Sequence, residues 1–315
     1  MRNRAGNLAA CLILALAAGL SVAAFGQTGG DFTFYFGVKG YDGSSWFGEP
    51  SALALDERSG LIYVADTKAG TVDAFSLQGV PKFQYGAKNN LKAPLGLAID
   101  SDGRVYVSEN EGGPIKIIDS RGSTTMLALP KDGDEETKAG RMTFDRDGNL
   151  YVVDRANCRV LVFGRDGAFK LKFGSPGDER GQFKVLQDVA VDRQGRIYAL
   201  DAVGVPIRVF DMKGGYVRSI GARGEGQTEI SFSAGLFIDR NDQIWVVDRA
   251  QHCLKVHDRS GAYLRTFGSY GLGEGSLFLP VDAAIDSFGR VYVLEMGARR
   301  MQVFSLKNPL EPFRP

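Results

Sequence analysis

Apolar runs of three or four residues recur along the chain, separated by polar turns that carry Asp and Gly. The clearest are Leu61-Ile62-Tyr63-Val64, Val105-Tyr106-Val107, Leu150-Tyr151-Val152-Val153, Ile197-Tyr198-Ala199-Leu200, Ile244-Trp245-Val246-Val247 and Val291-Tyr292-Val293-Leu294. Runs this short, rich in β-branched and aromatic residues and bounded by turn formers, predict strands rather than helices. An acid precedes each run: Asp56, Asp100, Asp145, Asp192, Asp239 and Asp286, spaced 44, 45, 47, 47 and 47 residues apart. A second acid follows each run, at Asp66, Glu109, Asp154, Asp201, Asp248 and Glu295. A period of this length is a repeat, and self-similarity outranks any local reading.

Every unit continues into a third strand, as in Val160-Leu161-Val162-Phe163, and most end in a fourth that closes on Gly: Gln84-Tyr85-Gly86, Lys172-Phe173-Gly174, Ser219-Ile220-Gly221 and Thr266-Phe267-Gly268. Four strands in about 45 residues is the size of one propeller blade. Six units predict an all-β, six-bladed β-propeller spanning 27–309, with a short tail over 310–315. The sixth unit lacks its fourth strand, and Phe34-Tyr35-Phe36-Gly37 supplies the missing copy, so the N-terminal strand is expected to close the last blade.

The segment Asp154-Arg155-Ala156-Asn157-Cys158-Arg159-Val160-Leu161-Val162-Phe163, followed by Phe173-Gly174 and Gly181-Gln182-Phe183, resembles an NHL repeat, as does Asp248–Val256 with Phe267-Gly268. The resemblance covers all six units, although the second and fourth diverge. It implies a six-bladed NHL-type propeller, a family of binding platforms, signalling domains and a few enzymes, so it speaks to fold more than to function. The NHL-like amidating lyases use a multi-histidine zinc site, which His252 and His257, the only histidines, do not reproduce.

Composition adds a compartment. Arg2 and Arg4 precede an uncharged stretch from Ala5 to Gly30, with an apolar centre over Leu8–Ala24 and small residues at Ala24 and Gly26. This is the layout of a signal peptide over 1–26, with an uncleaved membrane anchor the alternative, and it predicts a periplasmic or extracellular protein. With 38 basic and 37 acidic residues the charge is balanced, which argues against a nucleic-acid partner. Cys158 and Cys253 fall in the same turn of blades three and five, too far apart to pair, and both read as small buried residues. Of the 41 glycines, three fall in the signal segment and most of the other 38 recur at blade turns, fourth-strand ends and the channel wall.

Counting back from the first acid, alternation along the inner strand sends positions −1 and −3 into the packing between blades and −2 and −4 toward the channel. The channel positions are mostly small, with Arg141, Asp188 and Asp282 as exceptions, and Gln187 beside them. These four form the candidate ligand site. The carboxylates would take a cation or polar ligand, with Asp188 and Asp282 the candidate ligands of any divalent ion, and Arg141 would take an anionic group. The plainer alternative is an Arg141–Asp188 pair between neighbouring blades, with Asp282 solvated at the rim. The second acids are read as turn braces that bond backbone N–H groups. No catalytic set assembles and no cofactor beyond that cation is implied. The expectation is an exported, non-enzymatic, monomeric ring that engages a protein, peptide or glycan through its loops. The alternative is a metal-dependent hydrolase or lyase centred on Asp188, Asp282 and Arg141.

Overall fold

Each repeat closes into one four-stranded antiparallel sheet. In a computed structural model describing residues 32–131 and 136–306, the first blade is β2 (Pro50–Asp56), β3 (Leu61–Asp66), β4 (Thr71–Ser76) and β5 (Pro81–Tyr85), paired in chain order. The next four blades repeat this plan from inner strands β6 (Pro94–Ile99), β10 (Ala139–Phe144), β14 (Leu186–Val191) and β18 (Ser233–Ile238). The second blade keeps a fourth strand, β9 (Thr124–Leu127), although it lacks the Phe-Gly ending. The sixth sheet runs β22 (Pro280–Ile285), β23 (Arg290–Glu295), β24 (Arg300–Leu306) and then β1 (Phe32–Val38). β1 lies antiparallel to β24, with Phe34 opposite Phe304 and Gly37 opposite Gln302. The N-terminal strand therefore closes the ring by supplying the last blade's fourth, outer strand and covering the edge of β24. The signal peptide expected over 1–26 and the tail expected over 310–315 lie outside the described residues. Among the described residues no helix is long and apolar enough to cross a membrane.

The recurring acids explain the turns. The first acid of each unit caps the hairpin after the inner strand: Asp100 Oδ1 accepts from the N–H groups of Asp102 and Arg104, both at 2.9 Å. In the last four units its other oxygen accepts from an aromatic side chain of the next strand, as with Tyr198 on Asp192 at 3.0 Å and Trp245 Nε1 on Asp239 at 2.9 Å. The second acid braces the opposite face by accepting from the loop that enters its blade. Asp66 takes Glu49 N at 2.8 Å, Asp248 takes Ser231 N at 2.7 Å and Glu295 takes Phe278 N at 2.7 Å. These acids hold turns, as their spacing suggests.

Six apolar clusters hold the ring, one between each pair of adjacent blades. Their geometry corrects the alternation rule. Leu53 and Leu55 pack toward the sixth blade, whereas Ala52 and Ala54 pack toward the second, against Leu97 and Ile99. A blade offers its two faces to its two neighbours and only its inner edge to the channel. Alternation therefore separates one neighbour from the other, and small residues at −2 and −4 admit the larger side chains of the next blade. Gly96 shows how close the approach is, since a Cβ there would lie 2.4 Å from the Gly140 carbonyl oxygen of the following blade.

Candidate functional site at the mouth of the channel

Every inner strand carries a register shift near its start, as between Pro50 and Ala52, Leu186 and Asp188, and Pro280 and Asp282. Such bulges re-aim a side chain and recur beside functional sites. The bulged residues include Ser51, Leu95, Gln187, Ala234 and Val281, and all five line a cavity of about 260 Å³ at the upper face, where the loops after the second strands also converge. A second cavity of about 260 Å³ opens from the lower face, lined by the remaining length of the inner strands.

Arg141 borders both cavities and divides the channel. Its side chain leaves the third blade and crosses the axis. Nη1 lies 2.7 Å from Asp282 Oδ2 and 3.6 Å from Asp188 Oδ2, and Nη2 donates to the carbonyls of Ser51 and Val281, both at 2.8 Å. The neighbour pairing expected from sequence is thus the weaker contact, because the long Arg side chain reaches the opposite blade. Asp282 is buried rather than solvated at the rim.

Both carboxylates are also committed to backbone. Asp282 accepts from Leu53 N at 2.8 Å and from Ala283 N at 2.9 Å, while Asp188 accepts from Leu236 N at 2.9 Å and Val189 N at 2.8 Å. Each acid therefore ties its blade to the inner strand of the next. Burial pushes the Asp188 carboxyl up, against the pull of Arg141, while Asp282 adds to the rise. Burial disfavours the charge on Arg141, but Asp282 and Asp188 together hold its pKa above the ordinary arginine value. A divalent ion needs carboxylate oxygens with free lone pairs directed into one space. Here the guanidinium occupies that space and the oxygens already accept N–H groups, so the set does not fit a resident cation. Among the described residues no group of three or more His, Cys, Asp or Glu is arranged to hold a metal.

The mouth above Arg141 has a different character. Of the six residues that follow the second acids, five line the cavity: Thr67, Asn110, Arg155, Arg249 and Met296. Arg155 Nη2 donates to the Asn110 carbonyl at 2.8 Å, but its Nε is buried with no hydrogen-bond partner. Burial pulls the Arg155 pKa below its ordinary value. Arg249 Nη2 meets only the thioether sulfur of Met296, at 3.4 Å. Gln187, predicted as a site residue, sits on this wall. Sequence reasoning passed over Arg155 and Arg249 because they were absorbed into the repeat motif. The available signal was two arginines at a repeat position that is otherwise uncharged.

The other chemistry-bearing residues lie elsewhere. His252 adopts φ 56° in its turn and its Nδ1 accepts from Leu279 N at 3.0 Å. His257 is buried in the fifth blade with neither ring nitrogen partnered. Cys158 and Cys253 are both free, and Cys158 is only half-buried because its turn lies at the surface, a departure from the expectation that both are buried.

A family model described as a 6-bladed beta-propeller matches residues 136–207 and 196–256. No curated protein sequence matches the chain. Among solved structures, the virginiamycin B lyase from Staphylococcus aureus is 15% identical, with a TM-score of 0.61 over 82% of this chain and 95% of that one. A gluconolactonase from Xanthomonas campestris is 16% identical, with a TM-score of 0.64 over 93% of this chain and 92% of that one. A protein of unknown function from Bacteroides thetaiotaomicron is 17% identical, with a TM-score of 0.65 over 89% and 73%. At these identities the likeness is one of fold.

Proposed function

We propose that the chain is an exported binding propeller of the NHL type, which engages a protein or peptide through its upper face and performs no chemistry on it. The observation that carries this reading is the mouth cavity itself: open above, floored by Arg141, and lined by polar groups whose bonding capacity is unfilled. Around it, Val185, Val203 and Phe232 are 42%, 45% and 40% exposed, an apolar rim beside a polar pocket. The leader sequence supports export, and the Asp154–Phe163 motif supports the NHL type. A channel-centred hydrolase or lyase using Asp188, Asp282 and Arg141 is the less favoured reading, because those three groups satisfy one another and adjacent backbone.

Photo-crosslinking tests the reading. A photoreactive phenylalanine analogue at Val203 on the upper face is expected to form partner adducts in the native extracytoplasmic fraction. The same analogue at Phe288, an exposed residue of the lower face, is expected to form none. Adducts from Phe288 alone, or from neither position, would overturn it.

A further inference from the structure

The proposed binding face has a charge pattern that specifies its ligand. Around the mouth, the position after the second acid reads Thr67, Asn110, Arg155, Ala202, Arg249 and Met296 from blade one to blade six. The two arginines thus stand on the blades either side of blade four, where the residue is only Ala202. From blade four itself the bulge presents Gln187. Three hydrogen-bond donors from consecutive blades therefore border one gap.

None of the three is used up. Among the described residues neither arginine has an acidic partner: Arg155 bonds Asn110 and leaves a buried Nε without an acceptor, and Arg249 touches a sulfur. This contrasts with the blade interiors, where Arg208 pairs with Asp201 at 3.0 Å and Arg300 with Glu295 at 2.7 Å. A guanidinium keeps its charge even when desolvated, so one held without a counter-charge is poised for an anion. Arg141 below adds no free charge, being matched by Asp282 and Asp188. Among the described residues the one acid lining the mouth, Glu49, is exposed on blade one, away from the gap at blade four.

The surroundings narrow the anion. Phe232, Met296 and Val281 border the same cavity, with Val185 and Val203 exposed on blade four beside it. A free inorganic anion would use the arginines and leave the apolar rim bare. A carboxylate carried by a chain with apolar neighbours would use both. Resting on the binding function proposed above, we infer that the mouth captures a peptide segment by a carboxylate, from Asp, Glu or a C-terminus. That carboxylate sits between Arg155 and Arg249 with Gln187 donating, and an adjacent apolar residue lies against Phe232 and Val203.

The test uses the full chain, immobilised, with two pools of synthetic hexapeptides of matched apolar content. One pool carries Asp, Glu and a free C-terminus; the other carries Asn, Gln and a C-terminal amide. The native protein is expected to retain the acidic pool at least about tenfold better than the neutral pool. An R155Q/R249Q double variant, shown by its melting curve to be folded, is expected to lose that preference. Equal retention of both pools by the native protein would overturn the carboxylate assignment while leaving the binding function standing. Undiminished preference in the double variant would place the acidic site elsewhere and also overturn it. Retention of neither pool, together with glycan capture by the same protein, would overturn the peptide reading and the assignment with it.

Discussion

Replacing Arg141 with Met is the sharpest perturbation of the ring. The substitution keeps an unbranched stem in the channel but removes the guanidinium that reaches Asp282, Asp188, Ser51 and Val281. Two carboxylates are then buried together with no cation between them, and two carbonyls lose a donor. Breaking a buried ion pair from one side costs about 3–5 kcal/mol. For a domain of this size each kcal/mol lowers Tm by about 2 °C or slightly more, so R141M is expected to melt about 6–12 °C below the native protein. The arrangement also predicts a rescue. R141M/D188N/D282N removes the stranded charge and leaves one oxygen on each side chain to accept from Leu236 or Leu53, at the expense of the bonds from Val189 and Ala283, and it is expected to recover part of the loss. Thermal unfolding followed by circular dichroism at pH 7 reads both variants. An R141M protein melting within about 2 °C of native would refute the view that Arg141 staples the ring across its axis.

Three further perturbations test the fold and its buried charges. His257 stands where the other blades place Phe75, Ile118, Phe163, Phe210 and Phe304, so H257F is expected to raise stability by about 1–3 kcal/mol by removing buried unpartnered nitrogens. Burial lowers the His257 pKa, so the native protein loses stability as pH falls below the ordinary histidine value, and a melting series from pH 8 to 5 is expected to show that slope flattened in H257F. Asp73 has the opposite sign: burial raises its pKa to about 6, so its ionisation costs stability as pH rises from about 4 through 6. D73N is therefore expected to exceed native stability by roughly 2–3 kcal/mol at pH 7.5, with no difference near pH 4, and a constant difference across that range would contradict the assignment. Deleting residues 32–38 removes the buried Phe36 and Val38 and the packing of Phe34, a loss of about 5 kcal/mol or more, whereas trimming 310–315 is expected to leave Tm unchanged; equal losses would defeat the closure.

The fold was legible because a repeat states the same constraint six times. Asp before a hairpin, an aromatic six or seven residues later and a tight turn between them mark hydrogen bonds that the structure then shows, as at Asp192 and Tyr198. The closing strand was legible as a missing copy. The channel was harder. Arg141, Asp188 and Asp282 stood out as charges among small residues, but a one-dimensional pattern cannot show that an arginine reaches the opposite blade. Nor could alternation show which neighbour each face meets, since both faces of a blade are buried. Arg155 and Arg249 were hidden for another reason. Their motif reads as a turn, and only the missing acid in three dimensions distinguishes a cation at the mouth from Arg208, which is paired in its blade.

The most direct measurement is the structure of the full chain with a retained acidic peptide. A carboxylate within about 3.5 Å of the guanidinium nitrogens of Arg155 and Arg249, above an undisturbed Arg141–Asp282 pair, is the predicted result. A peptide seated in the lower cavity, along the outer strands, or at the mouth with its carboxylate turned to solvent would contradict it.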